Sequence, residues 1–286
     1  MRYKSDSDFR TALEERLRQR ERQLQQPLVR LRKRLVFERC MSRLQRRPDS
    51  PWILKGGFAL ELRLGDRARM TKDLDIGVDL GYFGQAAVSP AEVVQALREA
   101  LAGQDADRFV FTLSESRQEV LPVQGATAFR FSVEARLAGR RFETIRVDVG
   151  LGDPIIPPVD ELRGSDFLQF ADIPAPVIRT VSRVQHLAEK VHALTLPFDN
   201  RINTRVKDLA DIMLLLGLGP PSIQAARNAV EAIFAARQTH EIPKAIEMPP
   251  STWVSFYTAM AQELGIQETT LESATSRLNE YWRMLW

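Results

Sequence analysis

Leucines at positions 13, 17, 24, 28, 31, 35 and 44 recur at roughly helical spacing, which predicts helix over residues 8–46. Pro27 lacks an amide hydrogen and divides this stretch into two helices. Residues 52–55, Trp-Ile-Leu-Lys, read as a short buried strand. Gly56-Gly57 ends it, and residues 58–64 fit a short helix. Leu74, Ile76 and Val78 then alternate with Asp73, Asp75, Gly77 and Asp79, the pattern of a half-buried strand. Pro90 opens a helix running to about Ala102, with Val93, Val94, Leu97 and Leu101 inward. Three strands follow: 109–114, an alternating one through Phe129, Phe131, Val133, Ala135 and Leu137, and 142–150 after the Ala138-Gly139 turn.

Prolines 154, 157, 158, 174 and 176 mark the next stretch as a linker or wrapping loop. From Ser182 the period is helical, with helices expected at about 183–195, 204–217, 222–238, 250–264 and 269–284. Ser182 with Gln185 resembles a capping box. Strands with helices, then helices alone, predict an α/β half followed by an all-α half. The expected units are basic N-terminal helices (1–50), an α/β domain (51–180) and a helical C-terminal domain (181–286). No internal repeat is visible.

Composition narrows the class. A chain of 286 residues, 44% apolar, can bury a sizeable core. The single cysteine, Cys40, excludes an intramolecular disulfide and reads as a small buried hydrophobe. Residues 1–10 carry no apolar signal region, and the longest near-apolar run, 212–219, is far short of the about 20 residues a membrane span needs. A cytoplasmic protein is the expectation. The net charge of +3 is unevenly spread: residues 1–50 hold 15 Lys/Arg against 7 Asp/Glu, so they carry +8 and the remainder −5. Arg16, Arg18, Arg20 and Arg22, then Arg30, Arg32, Lys33 and Arg34, form either a solvated helix face or a contact surface for nucleic acid.

The chemistry concentrates at Lys72-Asp73-Leu74-Asp75-Ile76. Residues i and i+2 of a strand share a face, so Asp73 and Asp75 project together, away from Leu74 and Ile76. Neighbouring carboxylates resist joint ionisation, and a hard divalent cation reverses the sign of that term. Asp-x-Asp is common, and two solvated acids on a sheet edge are the plain alternative. Two features weigh against it. Gly56-Gly57 sits between a strand and a helix, where backbone approaches a phosphate and a helix N-terminus offers free N–H groups. Asp148, between Val147 and Val149, lies on the non-core face of its own strand. Were the two strands neighbours, Asp73, Asp75 and Asp148 would converge as ligands for one or two magnesium ions in phosphoryl or nucleotidyl transfer.

The helical half adds Asp211, the only polar side chain from Leu209 to Leu218. Such a charge needs a partner. Lys207, four residues earlier, and Lys190, on the preceding helix, are both in line for it. Either the pair is a structural tie between helices, or Asp211 holds a lysine against a triphosphate.

Together these segments resemble the AbiEii/AbiGii toxin family, a branch of the polymerase-β-like nucleotidyltransferases that includes the MenT toxins. The resemblance rests on Lys55-Gly56-Gly57-Phe58-Ala59-Leu60, Arg69-Met70-Thr71-Lys72-Asp73-Leu74-Asp75, a helix through Leu187, Lys190 and Leu194, and Arg205-Val206-Lys207-Asp208-Leu209-Ala210-Asp211. It covers about residues 50–216. It implies a polymerase-β-like domain with a mixed sheet, followed by a helical domain. Asp73 and Asp75 would bind metal, with Asp148 as third carboxylate. Lys190 and Asp211 would be the functional residues of the helical half. Gly56, Gly57, Arg69, Lys72 and Lys207 would contact nucleotide, though Gly57 stands where some members have serine. The implied cofactor is Mg2+ or Mn2+, and the substrate a nucleoside triphosphate. The implied acceptor is the 3′ end of tRNA, the outcome blocked translation, and the protein partner a cognate antitoxin. Two other classes stay open: a transferase acting on a protein or small molecule, and a non-catalytic module that binds RNA or an antitoxin.

Overall fold

The computed structural model describes residues 3–79, 89–123, 126–197 and 205–286, with the side chains of residues 90 and 115–127 outside that description. Two helices, α1 (Asp6–Leu24) and α2 (Leu28–Leu44), flank Pro27 as expected. Their leucines are the reason they stay: Leu13, Leu17, Leu31 and Leu35 are fully buried in the larger of two apolar clusters. Burying each such side chain contributes about 1.5–3 kcal/mol.

The chain then alternates β1 (Trp52–Lys55), α3 (Gly56–Leu64), β2 (Asp73–Val78) and α4 (Pro90–Leu101). Ser89 and Glu92 cap α4 reciprocally, ahead of its proline. Next come β3 (Val110–Val123), β4 (Ala126–Leu137) and β5 (Arg140–Leu151). β3 is longer than its hydrophobic pattern indicates, because its register against β4 shifts between Ser114 and Glu119 and breaks the alternation.

The proline-rich stretch is not only a linker. It contains two short strands, β6 (Asp160–Arg163) and β7 (Val177–Thr180). β7 pairs in parallel with β1 and carries the sheet to seven strands among the described residues, in the order β3-β4-β5-β2-β1-β7-β6. Four-residue strands bury too few side chains for a period to show; in β7 only Ile178 and Thr180 point inward. The sheet is mixed: β2 runs parallel to β5, while β1–β2, β3–β4, β4–β5 and β6–β7 are antiparallel.

Among the described residues five α-helices follow: α5 (Arg183–Thr195), α6 (Val206–Gly217), α7 (Ile223–Arg237), α8 (Val254–Leu264) and α9 (Leu271–Leu285). These match the expected helices to within a few residues; residue 204, the expected start of one of them, lies outside the described residues. Ser182 caps α5 by accepting the Gln185 N–H, but the capping box is only half made. The Gln185 amide instead donates to Pro154 O and Glu189, and accepts the Ile156 N–H. It thereby pins the loop after β5 to α5. The second apolar cluster belongs to these helices and reaches the sheet through Leu60, Leu64 and Ala68, which anchors α3 between the two halves.

Candidate active site

One face of the sheet is apolar and carries Leu74, Ile76, Phe129, Phe131, Val147 and Val149 into the core. The polar residues between them therefore share the other face. The parallel pairing of β2 with β5 puts Asp75 directly beside Asp148. Farther across the sheet, Arg130 on β4 is the partner of Asp148, and Lys55 on β1 is the partner of Asp75. Four adjacent strands thus present Arg130, Asp148, Asp75 and Lys55 as one row. Two residues along, Arg146 on β5 faces Asp73 on β2.

The ends of this arrangement are tied by ion pairs. The Arg130 guanidinium donates to both oxygens of Asp148, at 2.8 and 2.6 Å. Arg146 Nε donates to Asp73 Oδ1 at 2.5 Å. Asp75 is held differently. The Gly57 N–H donates to its carboxylate. Gly56 takes φ +64°, and a Cβ there would stand 2.0 Å from Asp75 Oδ2. The first glycine is needed both for left-handed backbone and for space against Asp75. The second packs on Thr71, whose Oγ1 would lie 2.7 Å from an added Cβ. Burial and, after it, the neighbouring Asp148 push the Asp75 carboxyl up to about 6; Lys190 and Lys55 oppose the shift.

The helical half supplies a second charged cluster. Asp211 is fully buried, and Lys190 Nζ reaches it at 2.8 Å while also donating to Asp208 at 2.8 Å. Arg69, from the segment between α3 and β2, donates to both oxygens of Asp211 at 3.0 and 2.9 Å. The expected Lys190–Asp211 pair is thus formed, with Arg69 as its third member. Lys207, the other expected candidate for pairing with Asp211, is exposed, as is Lys72. Asp211 and Asp208 hold the Lys190 ammonium charged against the burial that disfavours it.

A third network has no signature in the sequence. Lys55 bonds Asp153 and lies 3.7 Å from Glu189, and Arg237 at the end of α7 grips both oxygens of Asp153 at 2.7 and 2.9 Å. Its members are scattered along the chain and sit in no periodic pattern. Arg130 is more accessible to sequence reasoning: it lies between Phe129 and Phe131, which places it on the carboxylate face.

Among the described residues, no group of three or more His, Cys, Asp or Glu side chains is gathered so as to hold a metal ion. The donor chemistry nevertheless suits one. Asp75 and Asp148 are adjacent hard oxygen donors, and Asp73 is on the same face. In this arrangement Arg130 is bonded to Asp148 and Arg146 to Asp73.

The family model described as nucleotidyl transferase AbiEii toxin, type IV TA system, matches residues 39–283. The chain belongs to the AbiEii family. It is accordingly a nucleotidyltransferase and a toxin of a type IV toxin–antitoxin system; enzymes of this kind use nucleoside triphosphates and divalent metals. Among solved structures it is similar to MenT4, a nucleotidyltransferase toxin from Mycobacterium tuberculosis H37Rv, with a TM-score of 0.55 and 15% identity over 88% of this chain and 82% of that one. At that identity the likeness establishes the shared fold. A second structure, described as a "putative nucleotidyltransferase from H. pylori", is 15% identical over 87% of this chain and 96% of that one; its TM-score of 0.42 is too low to bear on the fold. A search of curated protein sequences finds no match. Among the described residues no helix is long and apolar enough to cross a membrane.

The basic N-terminal segment proves to be built into the body. Arg39 and Arg43 both bond the buried Asp107, Arg30 bonds Glu61, Arg34 bonds Glu38, and Arg32 bonds Glu14. Arg20 reaches Asp166 at 2.5 Å, and Arg16 lies 4.2 Å over the Phe170 ring. Part of the +8 is answered by carboxylates from beyond the segment, Glu61, Asp105, Asp107 and Asp166.

Proposed function

We propose that the chain transfers a nucleoside monophosphate from a nucleoside triphosphate to the 3′-terminal hydroxyl of tRNA, so that charging fails and translation stops. The observation that carries this reading is the in-register pair Asp75–Asp148, with Asp73 on the same face and two lysines, Lys55 and Lys190, close enough to pull on the Asp75 charge. Asp73, Asp75 and Asp148 would hold magnesium or manganese, and the ion would supply positive charge to offset that of the substrate phosphates. Lys190, fixed by Asp208 and Asp211, neutralises charge on the triphosphate. Arg69 keeps Asp211 in place, and Gly56-Gly57 with Lys72 and Lys207 border the nucleotide.

The acceptor hydroxyl attacks the α-phosphorus in line. The bond to the bridging oxygen breaks, pyrophosphate leaves, and the hydroxyl proton is released to water. No protein nucleophile takes part, and catalysis is positioning plus charge stabilisation. In this reading the enzyme works in the cytoplasm and is neutralised by a cognate antitoxin.

Incubation with each of the four α-labelled nucleoside triphosphates and total cellular RNA tests this. Label in the tRNA fraction with one preferred nucleotide, abolished by EDTA, is the expected result. Label in protein, or in a small molecule alone, overturns the choice of acceptor.

A further inference from the structure

The two carboxylates at the outer positions of the site are not open to a cation as they stand. Both oxygens of Asp148 accept from Arg130, and Asp73 accepts from Arg146. A divalent ion entering here meets two guanidinium charges already in place. These two arginines differ in exposure from Arg43, which grips the buried Asp107. Arg43, on Asp107, has no exposed side-chain surface, whereas the Arg146 side chain is 50% exposed and that of Arg130 27%. The carboxylates they would release, Asp148 at 15% and Asp73 at 27% exposed, need the incoming ion as replacement charge. A guanidinium fork fits phosphate as well as it fits carboxylate. An ion such as magnesium is held by one or two carboxylates and keeps substrate phosphates among its other ligands. An arginine bonded to those carboxylates is therefore one side-chain swing from those phosphates.

We propose that Arg130 and Arg146 are exchangeable guards of the carboxylate row, holding Asp148 and Asp73 in the resting enzyme and passing to the phosphates of the nucleoside triphosphate when a divalent ion takes the carboxylates. This rests on the metal site assigned above. It makes Arg130 and Arg146 substrate-binding residues. It also couples the two ligands. The ion alone must displace both arginines without giving them a new anion, so it binds weakly. The nucleotide brings that anion, so each ligand strengthens the other by the same factor. Without nucleotide the site stays closed to stray divalent ions.

The test is manganese binding to the full-length protein, followed by electron paramagnetic resonance of the free ion, with no RNA present. It is run with and without a non-hydrolysable nucleoside triphosphate analogue, whose own manganese binding is subtracted from a protein-free titration. In the wild type the analogue should tighten manganese binding by about tenfold or more. In Arg130→Gln/Arg146→Gln, manganese alone should bind several-fold tighter, and the enhancement by the analogue should largely vanish. Arg146→Gln alone, at a half-exposed position, should show the same changes at smaller size and serves if the double variant does not fold. Arg146→Lys, which keeps the charge, should restore weak binding of the ion alone. Unchanged or weaker manganese binding in the variants, with the wild type binding normally, overturns the guard role and leaves the metal site standing. A wild type that binds no manganese even with the analogue removes the metal site and this inference together.

Discussion

Arg43 on α2 and Arg146 on β5 each bond an aspartate at 2.5 Å, yet their surroundings are opposite. Arg43 and Asp107 are wholly buried, and Asp107 is further bonded by Arg39 and by the Phe109 N–H. That cluster fastens α2 to the segment entering β3. Arg146 and Asp73 are partly open and lie beside two further carboxylates that repel one another. An ion pair's geometry therefore does not reveal its role here; its burial and the unbalanced charge beside it do. The first region is a fastening, the second a poised site, and substitutions should separate them.

The largest effect is expected at the row itself. Asp75→Ala and Asp148→Ala should each lower nucleotide transfer at least about a thousandfold, the upper range for loss of a main electrostatic group. Circular dichroism and melting should show both variants folded, since neither side chain enters the core. Transfer within tenfold of wild type in either would break the assignment.

Next in size, and opposite in kind, is Asp107→Ala. It leaves the buried Arg43 with only Asp105, at 3.4 Å, as a carboxylate partner and should cost up to about 3–5 kcal/mol in urea unfolding. Activity per folded molecule should be unchanged. Asp211→Ala lies between the regions: it leaves the buried Lys190 short of a partner and free to shift, so both stability and transfer should fall. Lys190→Ala should cost transfer far more than stability, because Arg69 still pairs Asp211. Normal specific activity in the folded fraction of both would make that cluster a fastening like Asp107.

The ordering of effects mirrors what is legible in the sequence. Alternation with Leu74 and Ile76 places Asp73 and Asp75 on the non-core face of one strand, and alternation with Val147 and Val149 places Asp148 on the non-core face of another, because a strand's period is two. The need of Asp211 for a partner is also legible, since a lone charge in an apolar helix demands one, but the choice of Lys190 over Lys207 is not. Nor are the strand neighbours of the row. Which strand lies beside β2 is a tertiary fact, so Arg130 and Lys55 carry no local sign of joining Asp148 and Asp75. Arg237 and Asp153 are 84 residues apart and meet only because α7 folds back over the loop after β5. The basic charge of residues 1–50 is legible as a sum and misleading as a picture, because its counter-charges at Glu61, Asp107 and Asp166 come from elsewhere.

A smaller effect concerns pH. The Asp75 carboxyl rises in the fold from 3.8 to about 6. The folded protein thus binds this proton more tightly than the unfolded chain does, and stability is fully present below about pH 4 and lost as pH rises through 6. The change is at most about 3 kcal/mol, at 1.36 kcal/mol for each unit. Metal-free wild type should therefore lose melting temperature between pH 4 and 6 relative to Asp75→Asn. Parallel pH profiles for the two proteins would show that Asp75 is not under this stress.

The smallest effect is expected where the charge is most conspicuous. Arg16 stacks on Phe170, and Arg20 pairs with Asp166 at a site where both side chains are largely open, at 35% and 58%. An exposed pair contributes about 0–1 kcal/mol and a surface cation–π interaction about 0.5–1, so Arg16→Gln/Arg20→Gln should stay within about 2 kcal/mol of wild type. Were either arginine bound to an RNA phosphate, its removal would flatten the log–log salt dependence of RNA binding by about 0.7 to 0.9. Because both arginines already answer groups of this chain, the slope should be unchanged, and KM for RNA should not move. A slope flattened by about that amount or more would show that α1 gives up its internal partners for RNA, and would place it with Arg146 rather than with Arg43.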